Sequence, residues 1–149
     1  MNKISILGLI NEFNGLTKKD LIKKMLVFVE TEFELTIAFL EYDGLYPVLH
    51  YLDDNMIIKS HQYNFLPQKS KELEVLVDVL SFKENDYFDG LSVYVKVPLE
   101  TEDEDIGEII FKIDHDESLM EGRKLTMNRL ATEFSFLLNY DKHERRTFS

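Results

Sequence analysis

The sequence predicts an α/β (α+β) domain, a central antiparallel sheet with the terminal helices on one face and a variable helical or loop segment on the other. Three observations predict it. The first is a long hairpin from Gly90 to Asp114, in which Leu91, Val93, Val95, Val97 and Leu99 alternate with Ser92, Tyr94, Lys96 and Pro98. That is the period-two signature of a strand with one face packed inward. On the return run Ile109, Phe111 and Ile113 share one face, while Ile106 and Ile110 take the other. The second observation is a shorter hairpin about Asp43-Gly44. The third is a set of 3.6-residue apolar stripes near both ends of the chain and in its middle. No repeat, low-complexity tract or linker interrupts the order, so residues 1–149 read as a single domain.

The elements follow in order. Residues 2 to 13 form a short amphipathic helix with Ile6, Leu9, Ile10 and Phe13 on one stripe, and Asn14-Gly15 ends it. A second helix opens at Thr17, where Thr17-Lys-Lys-Asp20 resembles a capping box; Ile22, Met25, Leu26, Val29 and Phe33 form its apolar stripe. Leu35 to Tyr42 is a strand apolar on both faces apart from Thr36 and Glu41, which suits a position inside the sheet. Asp43-Gly44 supports a two-residue turn, and Leu45 to Leu52 returns, with Pro47 at a bulge or free edge.

Asp53-Asp54-Asn55 makes a second turn. Met56 to Phe65 reads either as a third strand or as an irregular crossing. After Pro67, Ser70 caps a helix carrying Leu73, Leu76, Val77 and Leu80. Asn85 to Gly90 is a loop with two aromatics, Tyr87 and Phe88. Glu100 to Asp105 is a solvated connection in the long hairpin, and Asp114 to Gly122 another. A last helix from about Arg123 to Glu144 presents Met127, Leu130, Phe134, Leu137 and Leu138.

Composition narrows the function classes. Apolar residues make up 44% of the chain and charged residues 30%, as in soluble globular proteins. Net charge is −11, from 28 acidic against 17 basic side chains, which argues against phosphate-backbone binding to nucleic acid and against an anionic membrane surface. There is no cysteine, so disulfides, thiolate metal sites and Cys nucleophiles are excluded. The apolar run Ile4 to Ile10 lacks the small-residue cleavage site of a signal peptide, and no other stretch approaches a membrane span. A cytoplasmic protein is expected.

The layout and a few motifs resemble a GAF domain. The match is Val97-Pro98-Leu99 at the end of a strand, Ile106-Gly107-Glu-Ile-Ile-Phe111 after the turn, and the long helix from Leu125 to Tyr140. PAS and profilin-like sensors share much of this topology. The physical logic stands beside the likeness: Pro98 stops ladder pairing near a strand end, and Gly107 lets another group approach closely. The chain departs from the ligand-binding branches. No cyclic-nucleotide signature aligns here, since Phe88-Asp89 is followed by Gly90, and the bilin-attaching and sulfoxide-reducing branches need Cys. What the resemblance implies is a non-enzymatic sensory or dimerising module of unknown ligand, with no cofactor assigned.

Candidate sites follow from the two faces of the hairpin. The Val93, Val95 and Val97 face backs onto helices; the Tyr94 and Lys96 face closes any pocket, with His61, Tyr63, Phe65, Tyr87 and Phe88 opposite. Two readings stand, a small-molecule cleft or a second core filled by these aromatics. Ile6, Leu9 and Ile10 with Leu137 and Tyr140 would either pair two copies across a two-fold axis or pack within one chain. The tail Lys142 to Ser149 is helix-compatible, a stub that would lead into an output domain.

The remaining polar residues read as ordinary surface. His50 is a half-exposed sheet residue, and His115 and His143 are solvated. Asp53-Asp54-Asn55 lacks the alternation and distant Glu of a calcium loop, and Ser92 and Thr36 have no visible base partner.

Overall fold

The computed structural model describes residues 16–42, 44–65, 71–76, 82, 85–100, 105–113 and 121–147. Among them are two helices, α1 (Lys18–Glu32) and α2 (Glu121–Thr147), and six strands. The strands are β1 (Thr36–Glu41), β2 (Val48–Leu52), β3 (Ile58–Gln62), β4 (Glu74–Leu76), β5 (Val93–Glu100) and β6 (Asp105–Ile113). They form one sheet in the order β3-β2-β1-β6-β5-β4, with every pair antiparallel. The predicted helix over residues 2–13, with Ile6, Leu9 and Ile10, lies outside the described residues.

Alternation along the strands gives the sheet two different faces. Ile37, Phe39, Val95, Val97, Leu99, Ile109, Phe111 and Ile113 meet the buried stripes of α1 and α2, among them Leu26, Val29, Leu130 and Phe134. Each such side chain gains roughly 1.5–3 kcal/mol from leaving water, so this layer is the main source of stability. The opposite face carries Ala38, Leu40, Leu49, Tyr94 and Ile110 under an aromatic layer. β1 is buried on both faces, as its continuous apolar run requires.

Local signals explain several boundaries. Thr17 caps α1 by accepting a hydrogen bond from the Asp20 amide at 3.1 Å. Asp53 Oδ1 accepts from the amides of Asn55 at 2.8 Å and Ile57 at 3.0 Å, which closes the polar turn before β3. The low-periodicity stretch after that turn resolves into β3, an edge strand.

The chain departs from its sequence pattern in four places. The helix expected after Ser70 is absent where it is described: Glu74–Leu76 is a strand paired with Tyr94–Lys96. Leu73 and Leu76 suit a helix stripe, but β5 has an open edge there, and filling its ladder outweighs a weak local preference. Val77 and Leu80 lie outside the described residues. The first hairpin has no two-residue turn, because Glu41 pairs with Val48 and the loop runs from 42 to 47. Pro47 therefore precedes β2 rather than interrupting it. Ile106 packs on the helix side, not with Ile110, since the β5–β6 register shifts at Leu99/Glu100. Finally, His50 is buried, at 7% exposure, not half-exposed.

Gly107, at the start of the displaced register, has φ +155° and lies directly against β1. A Cβ placed on it would sit 2.1 Å from the Leu40 carbonyl oxygen. No helix among the described residues is long and apolar enough to cross a membrane.

Candidate functional site

The aromatic face brings together all seven residues that the sequence assigned to it. Tyr63, Tyr87, Phe88, Tyr94 and Lys96 are buried there, while His61 and Phe65 are half-buried at its margin. His61 stands edge-on to Tyr63, with ring centroids 4.6 Å apart. Tyr63 meets Phe65 at 5.3 Å, and Phe88 meets Tyr87 and Tyr94 at 5.0 Å each. Phe82, which sequence reasoning missed, stacks on Phe88 at 4.9 Å and touches Tyr63 at 5.2 Å. Such offset and edge-on pairs each add about 0.5–1.5 kcal/mol beyond their buried area.

Side-chain hydrogen bonds also tie this layer to the sheet. Tyr87 donates its hydroxyl to the Ile110 carbonyl at 2.8 Å, and Asn85 donates to the Tyr63 hydroxyl. Asp89 organises the loop before β5. Its Oδ1 accepts from the Leu91 amide at 2.9 Å, the Ser92 amide at 3.1 Å and the Tyr94 hydroxyl at 2.9 Å. Its Oδ2 pairs with Lys112 Nζ at 2.9 Å. In return the Asp89 amide donates to the Tyr94 oxygen at 2.9 Å.

Burial, together with the Asp89 carboxylate, pushes the Tyr94 phenol up to about 12. Burial also pushes Tyr87 well above its ordinary value, so both hydroxyls stay protonated donors at neutral pH. Burial alone would raise Asp89, but the hydrogen bonds from Lys112, the Leu91 amide and Tyr94 outweigh it and hold its carboxyl far below 3.8. A carboxyl depressed on folding contributes stability that is complete above its unfolded value and is lost as pH falls below it. Asp89→Asn is therefore expected to be destabilising at neutral pH. The gap from wild type should narrow below pH 3.8, as read by urea denaturation across that range. A gap independent of pH would remove the carboxylate from this role.

A buried ion pair lies in the same face. Lys96 Nζ is 3.0 Å from Glu108 Oε2, and the two side chains are 5% and 1% exposed. Tyr42 donates its hydroxyl to Glu108 Oε1. Burial first, and the Glu108 carboxylate second, push the Tyr42 phenol well above its ordinary value. The sequence put Lys96 on this face but gave no partner. The signal was present, because Glu108 shares a face with Ile110 and its strand neighbour Pro98 follows Lys96 by two residues.

A separate polar chain crosses the helix-side face near the β3 edge. Lys18 of α1 pairs with Glu41, Glu41 Oε1 lies 2.9 Å from His50 Nε2, and His50 Nδ1 lies 2.8 Å from Ser60 Oγ. Burial would raise the Glu41 carboxyl, but the hydrogen bonds from His50 and Lys18 prevail and lower it.

Among the described residues no group of three or more His, Asp or Glu side chains is placed to hold a metal ion. The residues expected at a dimer contact separate. Leu137 is fully buried against the sheet and is spent on the chain's own core, whereas Tyr140 is 38% exposed. Leu125 and Phe136 join Tyr140 on the outer face of α2.

No protein-family model matches the chain, and no curated protein matches it. Solved structures do. The GAF domain of the cyanobacteriochrome TePixJ is similar over 96% of this chain and 98% of that chain, with a TM-score of 0.51 and 10% sequence identity. The similarity extends over nearly the whole of both chains and agrees with the central antiparallel sheet and its helical cover. This chain therefore has the GAF fold, an α+β sandwich of helices, sheet and irregular aromatic cover.

Proposed function

We propose that the protein is a non-enzymatic regulatory module in which a small molecule binds between the sheet and its aromatic cover. One observation carries this reading. Among the described residues, the loop from Asn85 to Ser92 is tied down by side chains, through Asn85, Tyr87, Asp89 and Tyr94, and not by a backbone ladder. It can part from the sheet without unpairing a strand, so its opening should cost less than global unfolding. The wall beneath it offers aromatic surface with Lys96, Glu108 and Tyr42, which suits a planar ligand with polar substituents. Binding would shift the cover between two packings, a population shift passed to α2 through β5 and β6.

A second reading has its own support: ring-to-ring packing across this face suits a filled core whose work is docking or pairing of two copies. Exposed Leu125, Phe136 and Tyr140 on α2 would then serve as the contact. One experiment separates the readings. Purified protein is melted against a panel of nucleotides and metabolites, with its mass read by light scattering in the same samples. A ligand of the native state raises the melting temperature. If none does and the mass is that of a dimer, the docking reading replaces the sensor.

A further inference from the structure

The geometry points to Ser60 as an activated serine, a site that takes an acyl group from an activated ester or thioester. This inference stands apart from the aromatic face and does not depend on a ligand there. Ser60 is exposed on β3, while His50 and Glu41 behind it are buried, at 7% and 8% exposure. The distances are 2.8 Å from Ser60 Oγ to His50 Nδ1 and 2.9 Å from His50 Nε2 to Glu41 Oε1. Glu41 is held as a carboxylate, which can only accept, so the proton of a neutral His50 lies on Nε2. Nδ1 is then the free lone pair that accepts the Ser60 hydroxyl.

This is the serine–histidine–carboxylate relay with the two ring nitrogens exchanged. Stacking of His50 on Phe39, with centroids 5.9 Å apart, fixes the ring plane. Lys18 holds Glu41 from the other side, so Glu41 is a positioning residue for the imidazole. Phe39, Leu52 and Ile58 on the same face are apolar, so burying His50 and Glu41 beside them carries a desolvation cost.

An electrophile also has room to react. β3 is the terminal strand of the sheet, so alternate backbone N–H groups along it point away from the ladder. The hydrogen bonds from the Asp53 amide to the Ile57 carbonyl and from the Tyr63 amide to the Pro47 carbonyl put the odd-numbered residues of β3 in the ladder, so the Ser60 amide faces outward. That amide is the donor near an oxyanion formed at Ser60. In the step itself, the Ser60 Oγ–carbon bond forms as His50 Nδ1 takes the hydroxyl proton. The bond from the carbonyl carbon to the thiolate or phenolate then breaks, and His50 returns the proton to that leaving group. The product is a Ser60 ester and a free thiol or phenol.

The test uses the full chain and para-nitrophenyl acetate, with the acetylated residue located by peptide mass spectrometry. Ser60 should be acetylated about 100-fold faster in the native chain than in urea, after normalising to exposed Lys23 in the same sample. Glu41→Gln and His50→Gln should each remove most of that advantage while Lys23 labelling is unchanged. The urea comparison needs no variant, so it decides the matter even if one fails to fold. Acetyl groups on lysines alone, or a Ser60 rate equal in folded and unfolded chains, would show the relay to be a structural tie between α1 and the sheet.

Discussion

Replacing Gly107 by alanine is expected to destabilise the domain by about 3 kcal/mol or more. The new Cβ would lie 2.1 Å from the Leu40 carbonyl oxygen and 3.0 Å from the Phe39 ring. Leu40 belongs to β1, the strand buried on both faces at the middle of the sheet, and Gly107 pairs with its neighbour Glu41. Neither backbone can retreat without disturbing the β1–β6 ladder, and the φ of +155° adds strain for any side chain. Gly44→Ala is the control. Its φ is +83°, but nothing lies within 4 Å of the added Cβ, so only backbone strain of about 1 kcal/mol is expected. Urea denaturation of the two variants reads the difference. Equal losses would mean that the close approach of β6 to β1 is not what Gly107 provides.

Single substitutions in the Lys96–Glu108 pair should cost about 3–5 kcal/mol each, because either leaves a charge without its counterpart in a site almost closed to water. Lys96→Met keeps most of the volume and takes the ammonium from the Glu108 carboxylate. Glu108→Gln keeps the shape and the acceptor for Tyr42 but takes the carboxylate charge from Lys96. The double variant Lys96→Met, Glu108→Gln should recover most of the loss, since no buried charge remains in the pair and Tyr42 keeps its acceptor. A double-mutant cycle by denaturation measures the coupling directly. Additive losses in the double variant would mean that the two charges do not depend on each other. If the double variant is stable yet loses a ligand-induced rise in melting temperature, the pair belongs to the binding wall rather than to the fold.

The frame of this fold was legible wherever one local signal decided the outcome. Period-two alternation from Val93 to Leu99 and from Gly107 to Ile113 set both faces of the hairpin, and Thr17 marked the start of α1. The Val95 and Val97 side meets the helices, and the Tyr94 and Lys96 side meets the aromatic cover, as the alternation predicts. Segments decided by tertiary pairing were not legible. Glu74–Leu76 reads as part of a helix until the open edge of β5 is known. At the candidate site the aromatic members could be named, but not what fastens them. Asp89 reads as a loop acid, and only the fold shows it collecting Leu91, Ser92, Tyr94 and Lys112. His50 and Ser60, ten positions apart, become neighbours only through the β2–β3 register.

That the aromatic cover opens apart from the sheet is the central claim, and native-state hydrogen exchange tests it most directly. The amides of Tyr87, Asp89, Leu91 and Ser92 hydrogen-bond to side chains of Asn85, Tyr94 and Asp89. They should exchange through a local opening well below the global unfolding free energy and insensitive to urea. Phe39 of β1 and Ile109 and Phe111 of β6, in the two middle strands of the sheet, should exchange only with global unfolding. If the Tyr87–Ser92 amides are protected as strongly as Phe39 and Phe111 and share their urea dependence, cover and sheet are one cooperative unit and the proposed mechanism fails.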